Sequence, residues 1–216
     1  MKNLIFLFLI FTGLQSYSQG WKTVKLDSSV SFQLPKGFQK SKSDSASSFS
    51  ATTTFGTILI FKALDNPVVT PDIEKDKHLT EFYNDYIERV KMSSGDGKIS
   101  NEKDTMIGDL KVKDFTLEID TGSGPEMRKF RILHANNATY AFEFLFQQMH
   151  KDFAAEECNK FFNSIKVNAD VKRADQFTAK AADEDGGINP YLIGLAALAL
   201  VGLIIFLIIR KKKVIV

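Results

Sequence analysis

Apolar and polar residues alternate along 21–34, with Val30, Phe32 and Leu34 on one face. That pattern predicts two strands ahead of a turn at Pro35-Lys36-Gly37. The stretch 39–48 is rich in Ser and Lys and reads as a loop. From 49 to 63 the chain is Thr-rich and β-branched. Phe55, Leu59 and Phe61 lie on one face and Ile58 and Ile60 on the other, as in one long interior strand. Asp65-Asn66-Pro67 breaks it. Thr70 then stands as an N-cap with Pro71 as the first helical residue. Leu79, Phe82, Tyr83, Tyr86, Ile87 and Val90 recur at helical spacing until Ser93-Ser94-Gly95-Asp96-Gly97. Three or four antiparallel strands follow, over 101–106, 110–120, 127–134 and 139–147. A change of apolar phase between Val112 and Phe115 predicts a bulge near Lys113 or Asp114. Asn136-Asn137 makes a hairpin turn, because Asn tolerates positive φ. A last helix, 151–163, carries Ala154, Cys158, Phe161 and Phe162 on one side.

Two apolar runs bracket these elements. Residues 4–11 follow Lys2 and lead to Ser16-Tyr17-Ser18, the form of a secretory signal with cleavage before Gln19. No Cys lies there, so a lipoprotein anchor is excluded. The second run, 192–209, is uncharged and ends in Arg210-Lys211-Lys212-Lys213. At ~1.5 Å per residue it reaches roughly 27 Å, enough for a single span, and the basic cluster marks the cytoplasmic side. The expected organisation is a signal peptide over 1–18, an exported domain over 19–167 and a flexible spacer over 168–187. A transmembrane helix over 188–209 and a basic cytoplasmic tail over 210–216 complete it. The spacer is rich in Ala, Asp and Lys and ends in Gly186-Gly187. Gly-Gly, span and basic tail together also resemble a sorting signal removed during maturation. The expected location is the cell membrane, with the domain periplasmic or extracellular.

Charge fits that partition. Five of the 28 Lys and Arg residues are Lys2 and 210–213, so the remainder carries 23 cations against 26 acids, a net of −3. The nominal basicity belongs to the targeting ends, and no nucleic-acid partner is expected. Cys158 is the sole cysteine, which rules out an intramolecular disulfide. About 150 residues with abundant Phe suffice for one core without one.

Candidate chemistry is sparse. His78 and Glu81 stand three apart on a helix, but two mixed ligands make a poor metal site. His134 ends a core-facing row with Phe130 and Ile132. His150, near Glu156 and Glu157, lacks metal spacing. Cys158 lies on the apolar stripe of its helix and reads as a buried thiol. Gly122-Ser123-Gly124 precedes a strand rather than a helix, unlike a phosphate loop. Asn137-Ala138-Thr139 fits a glycosylation sequon within a tight hairpin. The row from Tyr140 to Phe146 reads as core, with a ligand pocket as the alternative. No catalytic, cofactor-binding or metal residue is assigned, and no cofactor is expected.

The residues Ser29 to Gly37 with their Pro-x-Gly-Phe turn, the central amphipathic helix and the ending Phe161-Phe162-Asn163-Ser164-Ile165-Lys166 resemble a PsbP-like α/β/α sandwich. That fold is found in extrinsic photosystem II subunits and in exported bacterial proteins of the DcrB type. The resemblance implies an α+β fold, an antiparallel sheet flanked by two amphipathic helices, and the work of an accessory or assembly subunit. It brings no shared active site. The expected function is a membrane-anchored, non-catalytic docking module for another exported or membrane protein. A small-ligand receptor, or an enzyme with a motif-less site, is the alternative.

Overall fold

Apolar parity assigns each face of a seven-stranded antiparallel sheet to its own core. A computed structural model of the chain describes residues 20–178, apart from Pro67, Asp96, Thr121 and Ser123. The strands are β1 (Trp21–Lys25), β2 (Val30–Pro35), β3 (Gln39–Lys42), β4 (Ala46–Thr52), β5 (Thr57–Leu64), β6 (Lys98–Ile107), β7 (Leu110–Asp120), β8 (Pro125–Ala135), β9 (Ala138–Gln147) and β10 (Lys166–Val167). Helix α1 (Asp76–Ser93) lies between β5 and β6, and α2 (Lys151–Ser164) between β9 and β10. The large sheet runs β3-β4-β5-β9-β8-β7-β6, and a small sheet runs β1-β2-β10.

On one face Phe49, Ile58, Ile60, Phe142, Phe144 and Phe146 meet the β2 row of Val30, Phe32 and Leu34, together with Ala154, Cys158 and Phe161 of α2. On the other, Leu79, Phe82, Tyr83 and Ile87 of α1 cover Phe115, Leu117, Phe130, Ile132 and Ala141. The chain is thus α+β, with antiparallel sheets and two helices, as the apolar patterns predict.

Several boundaries differ from expectation. The loop expected over 39–48 is β3 and the start of β4, paired from Gln39↔Ser50 to Lys42↔Ser47. The single long strand expected over 49–63 is the β4–β5 hairpin, closed by a turn over 53–56. Both strands bury apolar residues, so their joint pattern mimics one interior strand. No bulge interrupts β7 against β8, where pairing is continuous from Lys113↔Ile132 to Asp120↔Pro125. Val112 and Phe115 face opposite cores, and covering both faces produces the change of phase. The register shift lies in the partner strand β6, between Ser100 and Lys103, where Asn101 has φ 54°.

Helix α1 begins at Asp76 with Lys75 as its cap, not at Thr70-Pro71. The residues before it are drawn out because Ile73, fully buried, bonds Thr178 with both its backbone N–H and C=O. The Asn136-Asn137 turn is as expected, both residues having φ 53°.

The spacer expected over 168–187 is no spacer in its described part. Residues 168–178 form a strap along one end of the sandwich. Asn168 N–H donates to Ser29 O, Asn136 N–H to Asp175 O and Thr178 N–H to Ile73 O. Val171 packs on one core and Phe177 on the other. The domain therefore extends past 167. No helix among the described residues is long and apolar enough to cross a membrane. The expected signal peptide, membrane span and basic tail lie outside the described residues.

Candidate functional site

The strap end holds a buried polar network centred on His134. Its ring, with 0% exposure, places Nδ1 3.0 Å from the Gln176 carbonyl oxygen and Nε2 2.8 Å from Asp65 Oδ2. The Gln176 amide is also fully buried. It pairs with the Lys111 backbone in both directions, accepting at 2.8 Å and donating at 2.8 Å, and donates to His134 O at 2.9 Å. Tyr83 Oη accepts from His134 N–H and donates to Lys111 O. Burial drives the Tyr83 phenol upward, so it stays a neutral donor. A satisfied network of this kind fixes the strap to β7 and β8.

The opposite end of β8 and β9 is different. Eleven-residue β8 spans about 35 Å at ~3.3 Å per residue, so Pro125 and Gln147 stand far from the Asn136-Asn137 turn. Here Phe55 stacks on Phe153 with ring centroids 5.3 Å apart, and His150 lies against Phe55 at 6.0 Å. Phe153 is 64% exposed and Met149 80%. A shallow dish of about 290 Å³, lined by Gly124, Pro125, Gln147, Gln148 and Met149, opens beside them.

This end is rigidly held. Glu157 of α2 accepts the N–H groups of Thr54 at 3.0 Å and Phe55 at 3.1 Å. Thr53 Oγ1 accepts from Gly56 N–H at 2.9 Å, and Thr53 N–H donates to Gly56 O. A Cβ on Gly56 would sit 2.5 Å from Leu145 O and 2.6 Å from the Phe144 ring, so only glycine lets the turn approach β9. Burial alone would raise the Glu157 carboxyl, but the hydrogen bonds from the turn outweigh it and hold the group below its ordinary value.

A third feature escaped the sequence reading. Glu143 sits on the α1 side of β9, in register with Leu59 and Phe130. Burial pushes its carboxyl up to about 7; Arg128 pulls it down and Glu126 adds to the rise. The available signal was parity, since 141, 143 and 145 share the sheet face on which α1 packs.

Other expected candidates are dispersed. His78 accepts the Glu74 N–H at 3.4 Å, while Glu81 pairs with Lys77, so the two share nothing. Cys158 is buried against the sheet, and burial raises its thiol. Gly122 and Gly124 form the β7–β8 turn with positive φ. Asn137 of the sequon is exposed at its turn. Tyr140, Phe142, Phe144 and Phe146 are core. Among the described residues no group of three His, Cys, Asp or Glu side chains is placed to hold a metal ion.

Neither a protein-family model nor a curated protein matches the sequence. Solved structures do. Cyanobacterial PsbP (CyanoP) from Synechocystis aligns at TM-score 0.51 and 10% identity, over 71% of this chain and 96% of that one. The Ran-binding protein Mog1p of Saccharomyces cerevisiae aligns at 0.43 and 10%, over 74% and 100%. LpqN of Mycobacterium tuberculosis, described as involved in cell envelope biogenesis, aligns at 0.42 and 10%, over 74% and 96%. The fold is PsbP-like.

Proposed function

We propose that this chain is a membrane-anchored, non-catalytic docking module that works outside the cytoplasm and binds a protein partner through the end bearing Phe55, Phe153 and Met149. The observation that carries the reading is exposed Phe153 stacked on half-buried Phe55, whose turn is held in place by Glu157 and Gly56. Rigid exposed aromatics suit binding hot spots, because little conformational entropy remains to be lost on contact. Support also comes from the PsbP-like fold and from the apolar, then basic, C-terminal sequence.

Position adds to this. The last described residue of the strap, Thr178, lies beside Ile73, whereas Phe153 lies at the other end of the strands. A tether leaving at Thr178 presents the aromatic end away from the membrane. Phe153→Asp, at an exposed position, is expected to leave the thermal midpoint unchanged. It should abolish co-isolation of the protein that accompanies the wild-type chain from cross-linked membranes. A variant that retains the same companion contradicts docking at this end.

The second reading, a small-ligand receptor, is favoured by one observation. Glu143 is a carboxyl titrating near 7 on a half-covered sheet face. A ligand bound there would make the melting temperature respond to added compound in wild type and not in Glu143→Gln.

A further inference from the structure

We propose, resting on the receptor reading given above, that Glu143 receives the ammonium head of a primary amine carried on a short apolar body. Ala141, Glu143 and Leu145 of β9 share the sheet face on which α1 packs. In register beside Glu143 stand buried Leu59 of β5 and buried Phe130 of β8, with Phe61 and Arg128 among its diagonal neighbours. Half-buried Tyr86 of α1 and half-buried Phe61 border the same place. Burial raises the Tyr86 phenol and the Glu143 charge adds to the rise, so the two side chains are neighbours.

The chain gives this carboxyl no partner. Among the described residues no hydrogen bond or ion pair reaches it. Arg128 of β8, the cation whose charge bears on it, donates from Nε to Glu126 at 2.7 Å. From α1 come the Tyr86 hydroxyl and Arg89, whose guanidinium lies 6.0 Å from the Tyr86 ring. From β5 come Leu59 and Phe61, which carry no charge. Asp27, Asp114 and Glu126 are part-buried too, but Lys62, Arg131 and Arg128 match them. Glu143 instead holds its proton up to about 7, through burial that Arg128 eases and Glu126 reinforces.

These surroundings select the ligand. An anion would meet the charges of Glu143 and Glu126, and a neutral body would leave the carboxylate unpaired. A divalent ion would find one free carboxylate, since Glu126 is taken by Arg128. A primary ammonium brings three N–H donors and a positive charge to Glu143. The Phe61 and Tyr86 rings suit the cation, and Leu59 and Leu145 suit a short hydrocarbon. The cation pairs with the ionised carboxyl, so binding releases the proton and strengthens as pH rises through about 7.

Thermal melts of the full chain test this with n-butylammonium, and with butyrate and n-butanol as matched probes at constant ionic strength. At about pH 8 the ammonium alone is expected to raise the wild-type midpoint, and it should leave Glu143→Gln unmoved. That variant folds at least as stably as wild type, so a lost response is not a lost fold. Apparent affinity should fall at least about tenfold from about pH 8 to about pH 5, where the amine remains charged. An equal shift in Glu143→Gln, equal affinity at both pH values, or no shift with the ammonium overturns the site. A response to butyrate or n-butanol that Glu143→Gln removes also overturns the ammonium class, while upholding the receptor reading. The receptor reading itself fails only if no compound of any class moves the wild-type midpoint through Glu143.

Discussion

At the scale of single residues, Glu143 works against the fold at neutral pH. The folded carboxyl titrates near 7 and the ordinary value is 4.5, so the folded chain keeps a proton that the unfolded chain releases. The stability this provides is whole below about pH 4.5 and is lost as pH rises through about 7. Glu143→Gln is therefore expected to leave stability at about pH 4 unchanged. At about pH 8 it should raise stability by roughly 1–2 kcal/mol, a figure reduced because Glu143 keeps part of its surface in solvent. Urea melts at the two pH values check it; equal effects at both would show that the carboxyl is not strained by burial. Glu157 is the opposite case. Its carboxyl is held low by the turn it caps, and its contribution is present above pH 4.5 and lost below.

At the scale of elements, the strap is the part whose removal is most informative. Cutting the chain after 167 removes Phe177 and Val171 from the two cores. It also strips the Lys111 N–H, His134 O and His134 Nδ1 of their partners in Gln176. Buried groups left unpaired cost about 1–3 kcal/mol each. A chain ending at 167 is expected to lose at least ~3 kcal/mol relative to one ending at 178. Equal denaturant midpoints would show the strap to be ornament.

The same element explains what the sequence could and could not reveal. Helix α1, the Asn136-Asn137 hairpin and the aromatic row of β9 are encoded locally, by spacing and by residues that accept positive φ. The strap is encoded by partners 42 and 65 residues away, and its buried centre, Gln176, is polar, so no hydrophobic pattern marks it. The β4–β5 turn was hidden for another reason. Thr53-Thr54-Phe55-Gly56 has no strong turn dipeptide, and its geometry depends on Glu157, a hundred residues on. Phe55 and Phe153 were likewise legible only as apolar residues. Their stacking, with Phe153 exposed on half-buried Phe55, follows from the hairpin and the start of α2 meeting at one end.

At the scale of the whole molecule, the two ends of the sandwich differ in kind: a buried polar network at the strap and exposed Phe153 and Met149 opposite it. On the proposed docking reading, one fastens the chain ahead of the C-terminal apolar run, and the other offers exposed Phe153 and Met149 on a stiff base. Site-specific photo-crosslinking in living cells measures this division most directly, with the reactive group placed in turn at Met149, Phe153, Asn137 and Lys172 of the full chain. A docking end predicts one discrete adduct of the same mass from Met149 and Phe153, absent from Asn137 and Lys172. Adducts from the strap end with none from the aromatic end, or no adduct from any position, would contradict it.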